Sequence, residues 1–183
     1  MERLAKPGQD LSDIVIESER LTLKPISLDY VDDIFREFTP VVATYTYPQP
    51  NDDINRTIDW IKRCLSRLKN GSDLQMVAVN KEGEFLGYVA LENLTTRTPE
   101  LGIWLKESAH GHGFGSEAIG LLVDWANDNL DFDYLFYPVS KENIASRKVA
   151  EKNGGVLAGK RRTTNALGKE LNEVIYHIFP KQS

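Results

Sequence analysis

The sequence predicts a mixed α/β fold of the α+β kind, and three observations predict it. Apolar residues recur at helical spacing in some stretches and alternate or run together in others. The segments follow the order strand, two helices, three antiparallel-looking strands, helix, strand, helix, two strands. They do not alternate strictly as strand–helix–strand units, so a doubly wound parallel sheet is not expected.

Each element has its own signal. Residues 1–17 read as an accessory extension with a short ordered piece at Ile14-Val15-Ile16. Leu21, Leu23 and Pro25 alternate with Thr22 and Lys24, which predicts a first strand. A short helix is expected over 29–38, ended by Pro40 and by the run Tyr47-Pro48-Gln49-Pro50. Ile54, Ile58, Ile61, Leu65 and Leu68 then form one apolar stripe at helical spacing. Asn51 or Asp52 is placed to cap that helix, and Gly71 stands just past its end.

Strands are predicted over 74–79 and 85–91, joined by Lys81-Glu82-Gly83-Glu84, whose glycine suits a tight turn. A third follows over 100–105. The next helix, over 116–129, turns Ile119, Leu122, Val123, Ala126 and Leu130 to one side. A strand over 134–139 and a helix over 143–153 follow, the helix stopped by Gly154-Gly155. Two strands, 156–161 and 173–179, close the chain, with Leu167-Gly168-Lys169 near their turn. No repeat, low-complexity tract or linker divides the chain, so residues 18–183 are expected to form one domain.

Composition bounds the function. The 183 residues carry a net charge of −5, which argues against a nucleic-acid backbone as the main ligand. Cys64 is the single cysteine, so an intrachain disulfide is excluded and a reducing compartment is suited. Residues 1–9 lack the apolar run of a signal peptide, and no stretch reaches the ~18 apolar residues of a transmembrane helix. The expected location is the cytoplasm, without a membrane partner. Three histidines and one cysteine lack metal-ligand spacing, so no metal is expected.

The chemically suggestive segment is His110-Gly111-His112-Gly113-Phe114-Gly115-Ser116, between a strand and a helix. Alternate glycines clear side chains from a place where a diphosphate can approach, and unpaired N–H groups at the helix start point at it. The competing reading is a sharp strand-to-helix connection and no more. A P-loop is excluded because no Gly-Lys-Ser/Thr follows. A dinucleotide fingerprint fails because Asp131 and Asp133 precede the next strand instead of closing it.

Three motifs in order, Pro99-Glu100-Leu101-Gly102-Ile103-Trp104-Leu105, then the glycine turn, then Asn143-Ile144-Ala145-Ser146-Arg147 before Gly154, resemble the GNAT superfamily of N-acetyltransferases. More narrowly they resemble the RimJ/RimL branch, which acetylates ribosomal-protein N-termini. The resemblance implies a mostly antiparallel twisted sheet of about seven strands, flanked by helices and splayed at the cofactor site. It implies acetyl-CoA as donor, with its diphosphate on the amides of His110, Gly111, His112, Gly113, Phe114, Gly115 and Ser116. Ile103, Trp104 and Leu105 would pair with the pantetheine amides as a strand would. Asn143 would contact the pantetheine arm and Ser146 would stand near the thioester sulfur. Two positions depart from the pattern: His110 replaces the usual Gln or Arg, and Ala150 stands where many relatives have a tyrosine acid. Ser146 is therefore the candidate for that role.

Acetyl transfer to an amine needs a base, an oxyanion site and a proton for the leaving thiol. Glu100 is the first choice of base, against a reading as a solvent-facing strand residue or a lysine partner; Glu92 ranks below it. Backbone N–H groups around Ile103 or Trp104 suit the oxyanion, and Ser146 either serves the thiolate or caps its helix. Trp60 and Trp125 read as core, His177 as structural, and His112 as either a phosphate contact or a solvated side chain. Arg147, Lys148 and Lys152 suit the coenzyme 3′-phosphate or simply an exposed helix face.

The acceptor side is expected from residues 39–56 and from the hairpin over 161–169. The run Tyr45-Thr46-Tyr47-Pro48 reads as an acceptor groove or a packed loop. A ribosomal or other protein N-terminus is favoured by branch analogy, with polyamines, antibiotics and free amino acids open, as is monomer versus homodimer. The rival readings are a non-catalytic acyl-CoA-binding module and a nucleotide-binding protein.

Overall fold

The computed structural model describes residues 8–181. Its strands are β1 (Ile16–Glu17), β2 (Leu21–Pro25), β3 (Leu74–Asn80), β4 (Phe85–Glu92), β5 (Glu100–Leu105), β6 (Leu135–Ser140), β7 (Val156–Thr164) and β8 (Glu170–Ile178). The helices are α1 (Val31–Glu37), α2 (Ile54–Asn70), α3 (Phe114–Asn129) and α4 (Ile144–Lys152). All eight strands join one sheet in the order β1-β2-β3-β4-β5-β6-β8-β7. The expected count of about seven becomes eight because two residues of the leading extension, β1, pair antiparallel with β2.

β3 lies between β2 and β4, and six of its seven residues are buried, which explains its near-continuous apolar run. α2 buries Thr57, Ile61, Cys64 and Leu68, spaced four, three and four residues apart. Its cap is Asp53, whose carboxylate accepts from the Asn55 N–H at 3.0 Å, one residue beyond the two expected candidates. Gly71 ends the helix at φ +73, and a Cβ there would stand 2.4 Å from the Gln9 carbonyl oxygen. The described part of the extension therefore lies against α2, with Leu11 buried and its N–H donating to the Leu68 carbonyl at 3.0 Å. Residues 1–7 of that extension lie outside the described residues.

α3 begins at Phe114, two residues before its expected start, so Gly115 and Ser116 fall in its first turn. Ala118, Ile119, Leu122 and Ala126 seat it on the sheet, each fully buried. Burying an Ile or Leu side chain of this kind contributes roughly 1.5–3 kcal/mol. Among the described residues no helix is long and apolar enough to cross a membrane.

One joint in the sheet is incomplete. β5 pairs with β4 along its whole length, from Glu92↔Glu100 to Gly87↔Leu105, and β6 pairs with β8 from Leu135↔Ile178 to Ser140↔Glu173. Between β5 and β6 there is a single parallel rung, Glu100↔Phe136. Each strand is held on its outer edge, and past that rung the two diverge. Pro138 on β6 has no N–H to offer either neighbour.

Candidate active site

The divergence opens a cavity of about 890 Å³. Glu100, Gly102, Ile103 and Trp104 of β5 line one wall, and Tyr137 and Val139 of β6 line the other, with Asn143 and Ser146 from α4. The β6-side edge of Gly102 to Leu105 carries no ladder to β6, which leaves backbone groups for a ligand strand.

At the fork, the Asn143 carboxamide accepts from the Ser146 N–H at 3.1 Å, so Asn143 caps α4. The capping role weighed for Ser146 thus falls to its neighbour. The Ser146 hydroxyl instead lies 2.8 Å from the Tyr137 hydroxyl. Tyr137 is only 2% exposed, and burial pushes its phenol up to about 12, with the Ser146 hydrogen bond opposing. The phenol therefore stays protonated at neutral pH and is able to donate. Ala150 is fully buried on α4, and the phenol beside Ser146 comes from Tyr137 of β6.

Glu100 stands at the foot of the fork, half-buried, directly across from Glu92. Burial raises its pKa, the Glu92 charge raises it further, Arg161 opposes, and Glu173 adds to the rise. Glu92 is engaged in a network: it accepts from the buried Gln75 Nε2 at 3.0 Å, and Arg67 stands 3.9 Å away. Gln75 also donates to Asp73 at 3.3 Å and accepts from the Tyr88 hydroxyl. Glu173 is held by Arg161 at 2.5 Å. Among the described residues Glu100 has no hydrogen-bond or ion-pair partner of its own, unlike Glu92 and Glu173.

The glycine turn lies beyond the cavity lining, at the start of α3. Gly111 and Gly113 adopt φ +78 and +79, which glycine enters without the Cβ strain that most residues would meet. The first intrahelical bond is from the Glu117 N–H to the Gly113 carbonyl at 3.2 Å, and Gly113 carries no side-chain cap. The N–H groups of Phe114, Gly115 and Ser116 precede that bond and point out of the helix start, a donor set suited to a phosphate. Gly115 lets α3 approach its surroundings, since a Cβ there would meet Val149 at 3.3 Å and Leu105 at 3.7 Å. Arg20 braces the turn from β2's entry: it donates to the His112 carbonyl at 2.9 Å, pairs with Glu117 at 2.5 Å and stacks over the Phe114 ring at 4.7 Å.

The expected site residues thus divide between two places. Glu100, Ile103, Trp104, Asn143 and Ser146 share the cavity, whereas Leu105, His110, Gly111, His112, Gly113, Phe114, Gly115 and Ser116 lie outside its lining. The His110 ring bonds back to the Leu105 carbonyl at 2.8 Å, closing the connection from β5 to the turn. Arg147 is committed to the Tyr176 hydroxyl at 3.2 Å and the Lys141 carbonyl at 3.3 Å. Trp60 is a cavity wall and not simply core, set edge-on to Tyr88 at 5.2 Å. His177 stacks on Tyr134 at 3.6 Å. Among the described residues no three His, Cys, Asp or Glu side chains are grouped to hold a metal.

The chain belongs to the acetyltransferase (GNAT) domain family, whose model matches residues 20–156. It is 26% identical over 102 residues to the ribosomal-protein-serine acetyltransferase of Escherichia coli, covering 55% of this chain and 57% of that protein. The match to that relative therefore spans little more than half its length. Among solved structures, the ribosomal alpha-N-protein acetyltransferase RimL in complex with coenzyme A superposes at TM-score 0.80 with 18% identity, covering 91% of this chain and 98% of that one. The spermidine N-acetyltransferase of Vibrio cholerae, in complex with coenzyme A and spermine, gives TM-score 0.77 and 17% identity over 88% and 96%. These structural likenesses establish the shared fold.

Proposed function

We propose that the chain is an acetyl-CoA-dependent N-acetyltransferase, working by direct attack in a ternary complex, whose acceptor is a protein or peptide N-terminal amine. The observation that carries this reading is the single-rung fork between β5 and β6, with a serine–phenol pair at its heart. Residues 18–183 act as one catalytic unit, braced by Leu11 and by the β1 strand of the leading extension.

The residues divide the work. The free N–H groups of the glycine turn hold the donor's diphosphate, and the open edge of Gly102 to Leu105 holds its amide-bearing arm. Bound there, the donor supplies the activated acetyl group. Glu100 takes a proton from the ammonium of the acceptor, directly or through water; its raised pKa makes it a stronger base than an exposed glutamate. A backbone N–H near Ile103 or Trp104 steadies the developing oxyanion. Ser146, backed by the Tyr137 phenol, offers a hydrogen bond to the departing thiolate. Alignment in the cavity contributes much of the acceleration, about 7–11 kcal/mol where reacting groups are well oriented.

The breadth of the acceptor side supports a macromolecular end. Tyr47 is 65% exposed and Leu167 77% exposed, and both rim the cavity. They come from the 39–56 segment and the β7–β8 hairpin, which meet where the Ala166 N–H donates to the Tyr47 carbonyl at 3.0 Å. Apolar residues left open at a cavity mouth suit a further contact surface. The test is thiol release from acetyl-CoA with a panel of N-terminal peptides, polyamines and aminoglycosides. Amine-dependent release with peptides, and a one-acetyl mass gain, is the expected result. Donor binding without release would convert the reading to a non-catalytic module, and turnover of polyamines alone would move it to a small-molecule acetyltransferase.

A further inference from the structure

We infer that the acceptor is an acidic segment, recognised downstream of its reactive amine by Arg56 and Arg63. The inference rests on the peptide-acceptor reading above and adds the charge of the residues that follow the terminus. Arg56, Trp60, Arg63 and Arg67 are spaced four, three and four residues apart on α2, a single stripe beside the buried one. The first three line the cavity.

The charges inside are unevenly spent. Of the cavity carboxylates, Glu173 is paired with Arg161 at 2.5 Å, and Glu92 has the Gln75 amide at 3.0 Å and Arg67 at 3.9 Å. Glu100 remains for the amine. Arg56 and Arg63, both exposed, enter no ion pair among the described residues, whereas Arg67 pairs with Asp73 at 3.2 Å. The uncommitted charge on the α2 wall is therefore positive, in a chain whose net charge is −5. A polycationic amine would meet two guanidinium groups held in no ion pair among the described residues, with Asp59 of the same helix outside the cavity lining. A segment with a neutral or small first residue followed by Asp or Glu places its amine toward Glu100 and its carboxylates on the arginines. Guanidinium forks suit carboxylates in bidentate geometry.

The experiment uses the whole chain, saturating acetyl-CoA and eight-residue peptides sharing one N-terminal residue, with Glu, Gln or Lys at the following positions, and spermidine alongside. The expected order is Glu above Gln above Lys, by about 5-fold per step, residing in KM and shrinking as salt rises. Arg56→Ala with Arg63→Ala should level the series, and Arg56→Glu with Arg63→Glu should invert it. Lys62→Ala, outside the stripe, should leave it intact. The salt dependence in the unaltered chain reads the same interaction without any variant. Equal turnover of all three peptides, or a preference untouched by the arginine variants, overturns the inference and leaves peptide acetylation standing. Turnover of spermidine with no peptide acetylated overturns the inference and the peptide reading together.

Discussion

The Tyr137 hydroxyl on β6 and the Ser146 hydroxyl on α4 lie 2.8 Å apart at the point where the sheet divides. A buried phenol held neutral and hydrogen-bonded to a serine orients that hydroxyl, so the pair can steady a leaving thiolate by hydrogen bonding. Tyr137→Phe and Ser146→Ala are each expected to lower kcat by about 100-fold, at the foot of the range for groups that assist proton transfer. If the pair acts as a unit, the double variant falls little further than either single one. Initial rates under saturating donor and acceptor, set in a double-mutant cycle, check this.

Glu100 and Glu92 face each other across one rung, and the second charge raises the pKa of the first. If Glu100 is the base it acts only when ionised, and the acid limb of kcat should then lie higher than an exposed glutamate would set it. Glu92→Gln removes one of the raising charges and should move that limb to lower pH. Glu100→Gln should abolish the limb and cost about 100-fold or more in kcat. The stability sign is opposite. A carboxyl whose pKa is raised on folding is disfavoured as pH rises through the usual range, so Glu100→Gln should leave the melting temperature at pH 7 unchanged or higher. A lowered melting temperature would mark Glu100 as structural.

Gly111 sits at φ +78, with open space where a Cβ would go. Strain alone decides a substitution there. Gly111→Ala should cost about 1–2 kcal/mol and raise KM for acetyl-CoA while leaving KM for the amine unchanged. Gly111→Asn should recover most of that loss, because asparagine tolerates the left-handed region. Melting curves and donor titrations read both effects.

Cys64, the single cysteine, is 2% exposed, and burial pushes its thiol up to about 12. The folded chain should therefore not react with a thiol-specific disulfide reagent at pH 8. Labelling should follow unfolding in denaturant. Thiol appearing in an activity assay then comes from the released coenzyme. Rapid labelling of the folded chain would contradict the packing of α2.

Much of this architecture is legible in the residues themselves. The 3.6-residue stripe of α2 and the apolar run of β3 report burial on one face and on both faces, and burial decides both elements. The cap of α2 moved one residue because Asn51, Asp52 and Asp53 are all competent side chains, and only the chain's path selects Asp53. β7 runs three residues past its expected end and β8 begins three before its expected start, because ladder bonds, more than apolar alternation, hold the stretch from Lys160 to Thr164 against Glu170 to Val174. The site was harder to read. Tyr137 alternates with Leu135 and Val139 as an inward-facing strand residue, and nothing in that pattern tells a core phenol from one at a fork. Trp60 misleads for the same reason, since a half-buried helix face meets either a core or a cavity. The Arg20–Glu117 brace joins residues far apart in sequence, and only the tertiary fold brings them together.

Meeting at one rung, β5 and β6 divide the sheet into two leaves, β1 to β5 and β6, β8, β7. What spans the gap is the helix pair: Gly115 of α3 lies close against Val149 of α4, and the Asn153 amide reaches the Ser116 carbonyl at 3.1 Å. The width of the fork is thus gauged by contacts between two helices. Enlarging a side chain at position 115 would wedge the leaves apart without touching any group that performs chemistry.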